Sequence, residues 1–233
     1  MQLTGPEIMR VMKIANPNNP NGSPDIVIDP FDEKCLGSNS YDLHLDDKLK
    51  IYKCFLAPGM KPAIEYDGRD IIDEADWFYN KYDYGRFREG KSRRILDPFD
   101  KGKETVEIAI PENGLILSPL VPGYLGSTVE YTETYNLFPY IDGKSSIGRN
   151  FIFIHHTAGR GDDGFCGTWT LELSIRHETL VKPNMRIGQI YYEAFKGDRR
   201  PYNENSSVHY NNQRDATAAA ALQVEYLKHH TRY

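Results

Sequence analysis

Cysteine is scarce in this chain. Three thiols, Cys35, Cys54 and Cys166, form an odd set at wide spacing. They supply neither a disulfide framework nor a CxxC metal knuckle, and a reducing, cytoplasmic setting is expected. Long apolar runs are missing too. None approaches the ~20 residues a helix needs to cross a bilayer, and Met1 to Arg10 lacks the charged-then-apolar layout of a secretory leader. A soluble protein with no membrane partner is expected. Positive charge is in deficit, 28 Lys and Arg against 33 Asp and Glu, for a net charge of −5. That argues against a broad polyanion-binding surface and against duplex nucleic acid as a partner, while leaving room for a local basic pocket that takes one triphosphate.

What is present is enough apolar material for one sizeable core. The 233 residues are 39% hydrophobic and 12% aromatic, so folding needs no disulfide or metal. Ile8, Val11, Met12 and Ile14 behind Thr4 predict a short amphipathic helix over Pro6 to Ala15, ended by the Asn/Pro/Gly cluster from Asn16 to Pro24. Strands are predicted at Ile26 to Ile28, Tyr41 to Leu45, Leu49 to Phe55, Thr105 to Ile110, Gly114 to Leu120, Tyr124 to Tyr131, Phe151 to His155, Thr168 to Ile175 and Arg186 to Phe195. Short β-branched and aromatic runs between Gly/Pro/Asp turns indicate an all-β barrel or double sheet. Residues 62–103 are polar, charged and aperiodic and read as an inserted surface excursion. The Ala-rich tail from Asp215 reads as a helical turn or a mobile arm.

Gly85 to Ser92 matches the GxxxxGKS phosphate-loop pattern, yet its flanks are neither a buried strand nor a helix start, so the motif is set aside. A second Gly-Lys-Ser, Gly143-Lys144-Ser145-Ser146-Ile147-Gly148-Arg149, is more informative. Paired hydroxyls and backbone N–H groups at the start of a short helix, with Lys144 and Arg149 beside them, suit phosphate oxygens; the plainer alternative is that Ser145 or Ser146 only caps that helix. After it comes His155-His156-Thr157-Ala158-Gly159-Arg160-Gly161-Asp162-Asp163-Gly164-Phe165, a strand end and a Gly/Asp hairpin tip. Adjacent strand residues point to opposite faces, so His155 and His156 are expected to be structural rather than joint metal ligands. No HxE followed by PCxxC occurs, which excludes the zinc-dependent nucleobase deaminase signature. Glu172, within Thr170-Leu171-Glu172-Leu173-Ser174, shares a face with Thr170 and Ser174. It could face solvent, or serve as a tunable general base beside an arginine such as Arg149.

Together these segments closely resemble the dCTP deaminase branch of the trimeric dUTPase-like family. Ile28 to Asp32, Ser40 to Leu45, Tyr124 to Tyr131, Val181 to Gln189, Arg200 to Asn203 and Tyr210 to Gln213 extend the likeness over most of the chain. The resemblance implies an all-β fold, a distorted β-barrel or jelly-roll with a few short helices. It makes 1–233 a single domain, with the excursion at 62–103 and a C-terminal lid at 200–233. It further implies a cytoplasmic homotrimer whose sites are shared between subunits, with dCTP as substrate and dTTP as feedback inhibitor. By resemblance Glu172 is the general base for attack of water on cytosine C4, and Ser145, Arg149 and the Ala158 carbonyl position that water. Lys144, Ser146, Tyr202, His209 and Gln213 occupy phosphate-binding positions, Asp162 the position that holds the 3′-hydroxyl, and Gln189 a place near the nucleotide. No zinc is implied, and Mg²⁺ would be carried by the triphosphate. His209 stands where the family has a lysine, and Arg160-Gly161 and Asp163 replace an apolar pair and a proline around Asp162. The implied activity is zinc-independent deamination of dCTP to dUTP and ammonia, supplying thymidylate synthesis. The alternatives are a bifunctional enzyme continuing to dUMP, a pure dUTPase, and a non-catalytic nucleotide-binding regulatory trimer.

Overall fold

The computed structural model of the protein describes residues 1–56, 62–66, 96, 98–100, 103–204 and 209–221; the phosphate-loop look-alike at 85–92 lies outside them. The fold grows from strands that alternate buried and open residues. In β2 (Tyr41–Tyr52), Leu43, Leu45, Leu49 and Ile51 are fully buried, each removal from water contributing about 2 kcal/mol. β9 (Cys166–Ile175) buries Leu171 and Leu173 while Thr170, Glu172 and Ser174 stay partly open, the face assignment expected from alternation. Between them lies β6 (Tyr124–Thr134), which pairs antiparallel with β2, with β9 and with β1 (Ile26–Asp29).

Around this hub the main sheet runs β7 (Phe138–Gly143), β11 (Arg186–Glu193), β2, β6, β9, β8 (Ile152–Phe153), with β1 also on β6 and β4 (Thr105–Ala109) also on β2. A second sheet orders β10 (Thr179–Val181), β5 (Leu115–Leu117) and β3 (Ala63–Glu65). Among the described residues the α-helices are α1 (Gly5–Met12) and the single turn α2 (Ser145–Gly148). The architecture is the expected all-β distorted barrel with few short helices.

The departures have physical causes. Asp46 to Lys48 read as a break, but a register shift against β6 between Leu45 and Leu49 absorbs the polar residues inside one long strand. β7 carries Pro139 and Asp142, both strand-breaking signals; it is tolerated because it ends the sheet, where the missing N–H of Pro139 costs no ladder bond. β3 falls at the near end of the supposed excursion, where it pairs with β5. The strand expected at Phe151 to His155 shrinks to Ile152–Phe153, and Phe151, at φ +55°, lies outside extended backbone. α1 begins behind Thr4 as expected, yet the Thr4 side chain makes no capping bond. Residues 215–221 are irregular rather than helical, and 222–233 lie outside the described residues.

Candidate active site

One open cleft, about 400 Å³, is bounded by β9, the 158–165 hairpin tip and the C-terminal strap; its walls include Ala158, Arg160, Asp162, Glu172, Tyr202 and Gln213. Glu172 enters it because strand alternation turns it away from Leu171 and Leu173. Its Oε2 accepts the His156 N–H at 2.9 Å, which fixes the carboxylate. Its Oε1 has no hydrogen-bond partner among the described residues. One oxygen is thus anchored and the other remains available to a water or substrate atom, the arrangement a general base requires.

The strap that closes the cleft is tied at several points. Thr168 N–H donates to the Gln213 carbonyl at 3.0 Å, and Gln213 Nε2 returns a bond to the Thr168 carbonyl at 2.7 Å. Gln213 Oε1 is buried without a partner among the described residues. Lys50 Nζ donates to Asp215 Oδ2 at 2.6 Å, Ala216 is buried, and Thr217 N–H reaches Thr170 Oγ1 at 3.1 Å. Burial pushes the Asp215 carboxyl up, but Lys50 and the Ala216 N–H together hold it below the usual carboxylate range.

A second cluster forms around α2. Lys144 is the N-cap residue, and neither serine side chain caps the helix, so the capping alternative for Ser145 and Ser146 does not hold. Ser145, Ser146 and Arg149 are exposed, and their side chains have no partner among the described residues. Lys144 pairs with Asp42, whose other oxygen takes Arg186 at 3.2 Å. Gln189 accepts from Ser40 Oγ at 2.9 Å and donates to the Gly143 carbonyl at 3.2 Å, so its amide is committed to the turn that presents Lys144. None of Lys144, Ser145, Ser146, Arg149 or Gln189 is among the walls of the Glu172 cleft. A single chain therefore offers two halves: a carboxylate cleft and a hydroxyl-and-cation turn.

Comparison with known proteins gives these halves a family. A family model described as dCTP deaminase-like matches residues 78–195. A protein of Leptospira biflexa named dCTP deaminase, dUMP-forming, is 36% identical over 204 residues, 87% of each chain. The chain belongs to the dCTP deaminase family. A Clostridium acetobutylicum member of the same name is 37% identical over 188 residues, 81% of this chain and 83% of that one. A solved 2′-deoxycytidine 5′-triphosphate deaminase from Agrobacterium tumefaciens aligns at 17% identity and a TM-score of 0.49; the match covers 83% of this chain and 48% of the Agrobacterium chain.

Of the residues singled out in the sequence, Glu172, Ala158, Asp162, Tyr202 and Gln213 converge on the family member's cleft. His209 does not: it is exposed, its ring set edge-on to Tyr210 at 6.1 Å, outside the cleft walls. His155 is partly buried, its Nε2 3.5 Å from Asp142 Oδ1, while His156 is exposed and contributes its backbone N–H. Sequence reasoning gave no role to the arginine side chain at the cleft wall, Arg160, whose guanidinium lies 4.7 Å over the Phe138 ring. It also gave none to Asp163 and Arg199, which are bonded to each other beside the cleft. A second cleft, about 500 Å³, shares Asp162 and Tyr202 with the first and is otherwise lined by Arg199, Arg200, Pro201 and Glu204.

Proposed function

We propose that this protein hydrolyses the exocyclic amine of dCTP and carries the resulting uracil nucleotide on to dUMP and pyrophosphate. The observation that carries the reading is Glu172, held by the His156 N–H through one oxygen and standing on the wall of a cleft that also includes Ala158 and Asp162. In this mechanism Glu172 takes a proton from a water whose oxygen bonds to C4 of cytosine, and delivers a proton to N3. The C4 amine, protonated in turn, leaves as ammonia and the C4 carbonyl forms. The Ala158 carbonyl, Ser145 and Arg149 orient the water and meet the developing charge. Asp162 receives the 3′-hydroxyl. Lys144, Ser146, Tyr202 and Gln213 serve the phosphates.

The names of the relatives favour the dUMP-forming alternative over release of dUTP, the reading first taken from the sequence. Among the described residues no group of three or more His, Cys, Asp or Glu is arranged to hold a metal ion. No step is therefore assigned to a protein-held ion, and Mg²⁺ enters only as the companion of the triphosphate.

The reading includes a homotrimer in which one copy supplies the carboxylate cleft and its neighbour the α2 turn. Two features support that division. The Ser145, Ser146 and Arg149 side chains are exposed and stand outside the Glu172 cleft walls, and Phe151 and Phe153, just beyond α2, are 57% and 46% exposed. Apolar rings at that exposure next to unemployed hydroxyls suit a face covered by a second copy. Incubation with dCTP and Mg²⁺, with separation of the nucleotide products, tests the reading. Ammonia with dUMP supports it, accumulating dUTP removes the second step, and no ammonia overturns it.

A further inference from the structure

The hairpin tip carries two adjacent aspartates with opposite fates. Asp162 is exposed and faces both clefts, whereas the Asp163 side chain is only 5% exposed. The chemistry above makes no use of Asp163, and a carboxylate buried so far must find partners or destabilise the fold. Those partners come from separate parts of the chain. Oδ1 accepts the Asn136 N–H at 2.7 Å and Arg199 Nη2 at 3.0 Å, and Oδ2 accepts Arg199 Nε at 2.8 Å. The Asp163 main-chain carbonyl takes the Tyr202 N–H at 2.6 Å. Asn136, at φ +60°, is the residue that turns β6 into β7, so this end of the grip belongs to the barrel itself.

The other end of the grip is irregular chain. Between the end of β11 at Glu193 and the short 3₁₀ turn Tyr202–Glu204 no regular element holds the backbone. The polar ties of Arg199 and Tyr202 to the barrel both run through Asp163, beside apolar contacts of Tyr202 with the core and of Phe195 with Phe138 at 4.9 Å. The two-pronged bond fixes the guanidinium plane as well as its distance, which a single ammonium contact does not do. The hydrogen bond to Asp163 also holds the Arg199 guanidinium above its ordinary pKa.

We propose that Asp163 and Arg199 are positioning residues for substrate: the pair sets Tyr202, and with it the rim common to both clefts, in its nucleotide-receiving place before substrate arrives. This rests on the reading of the Glu172 cleft as the site of dCTP turnover. Preorganisation of this kind removes an ordering cost from binding and leaves the chemical step alone. If the unanchored segment holds the competent position about one-tenth of the time, apparent affinity falls about tenfold.

The test is steady-state deamination of dCTP by full-length Arg199→Ala, Arg199→Lys, Asp163→Asn and the Arg199→Ala/Asp163→Asn double variant. Arg199→Ala is expected to raise KM about tenfold with kcat within about twofold of wild type. Arg199→Lys, able to keep one of the two N–H bonds, should recover part of that KM. The double variant should be no worse than either single one, because both remove the same contact. An unchanged KM in Arg199→Ala overturns the proposal. So do effects of Arg199→Ala and Asp163→Asn that multiply, since Arg199 would then be meeting the substrate itself. Should Asp163→Asn not fold, the Ala and Lys variants decide between these outcomes. Should the wild type not turn over dCTP, the catalytic reading fails separately. Proteinase K cleavage within 195–204 of the nucleotide-free protein then tests the anchor, with faster cutting expected in Arg199→Ala and equal rates overturning it.

Discussion

Glu172→Gln isolates the proton-transfer step because the structure gives each carboxylate oxygen a separate task. Oε2 is fixed by the His156 N–H at 2.9 Å, and Oε1 is without a partner among the described residues. In Glu172→Gln the amide carbonyl keeps the His156 bond, since only an acceptor satisfies that donor. The NH₂ group then stands where Oε1 stood. It can donate to a water but cannot take its proton, so cleft shape survives and the base is lost. A general base contributes about 10²- to 10⁴-fold, which is about 3 to 5 kcal/mol of barrier. Ammonia release from saturating dCTP should fall by that factor, while dCTP binding by calorimetry stays within a few-fold of wild type. Turnover within threefold of wild type would exclude Glu172 as the base, and loss of binding in step with turnover would place Glu172 in the cleft's architecture instead.

Three further outcomes are expected. A zinc-selective chelator that spares Mg²⁺ should leave deamination intact, as no step is assigned to a protein-held ion; loss reversed by added zinc would contradict this. Mixed assembly of Glu172→Gln with Arg149→Ala chains, each inactive alone, should restore about a quarter of wild-type activity, because random trimers place intact halves side by side at that frequency; no restoration would place both residues in one chain's site. Asp215→Asn should cost at most about 1 kcal/mol, the Asp215 side chain being 39% exposed, seen as a melting temperature lower by about 2 to 4 °C at pH 7. The folded carboxyl lies below its unfolded value, so this stability is present above the unfolded carboxylate range and disappears as pH falls through the folded value. A gap that persists in strong acid would show that Asp215 acts through something other than its charge.

Glu172 was legible in the sequence because strand alternation depends on immediate neighbours: two leucines inward force the residue between them outward. The hydroxyl turn was legible for the same local reason, and α2 starts where expected. Long-range partners were not. The bond from Ser40 to the Gln189 amide joins residues far apart in sequence and has no local signal. Asp162 and Asp163 are chemically identical in the sequence, and only the packing of Asn136 and Arg199 around the second separates anchor from candidate ligand. β7 was hidden by Pro139 and Asp142, whose turn chemistry outweighs Phe138, Tyr140 and Ile141 until the pairing with β11 is known. His209, assigned a phosphate-binding position from its place in the tail, is exposed and not among the walls of the Glu172 cleft in a single chain.

Deamination of dCTP in the Glu172 cleft, completed by a neighbouring copy's α2 turn, is open to direct test by a crystal structure of Glu172→Gln with dCTP and Mg²⁺. Cytosine C4 should face the side chain at position 172, with a water between them near the Ala158 carbonyl and Ser145, Ser146 and Arg149 of an adjacent subunit closing over the nucleotide. A nucleotide bound away from that cleft, or one held there by a single chain alone, would contradict it.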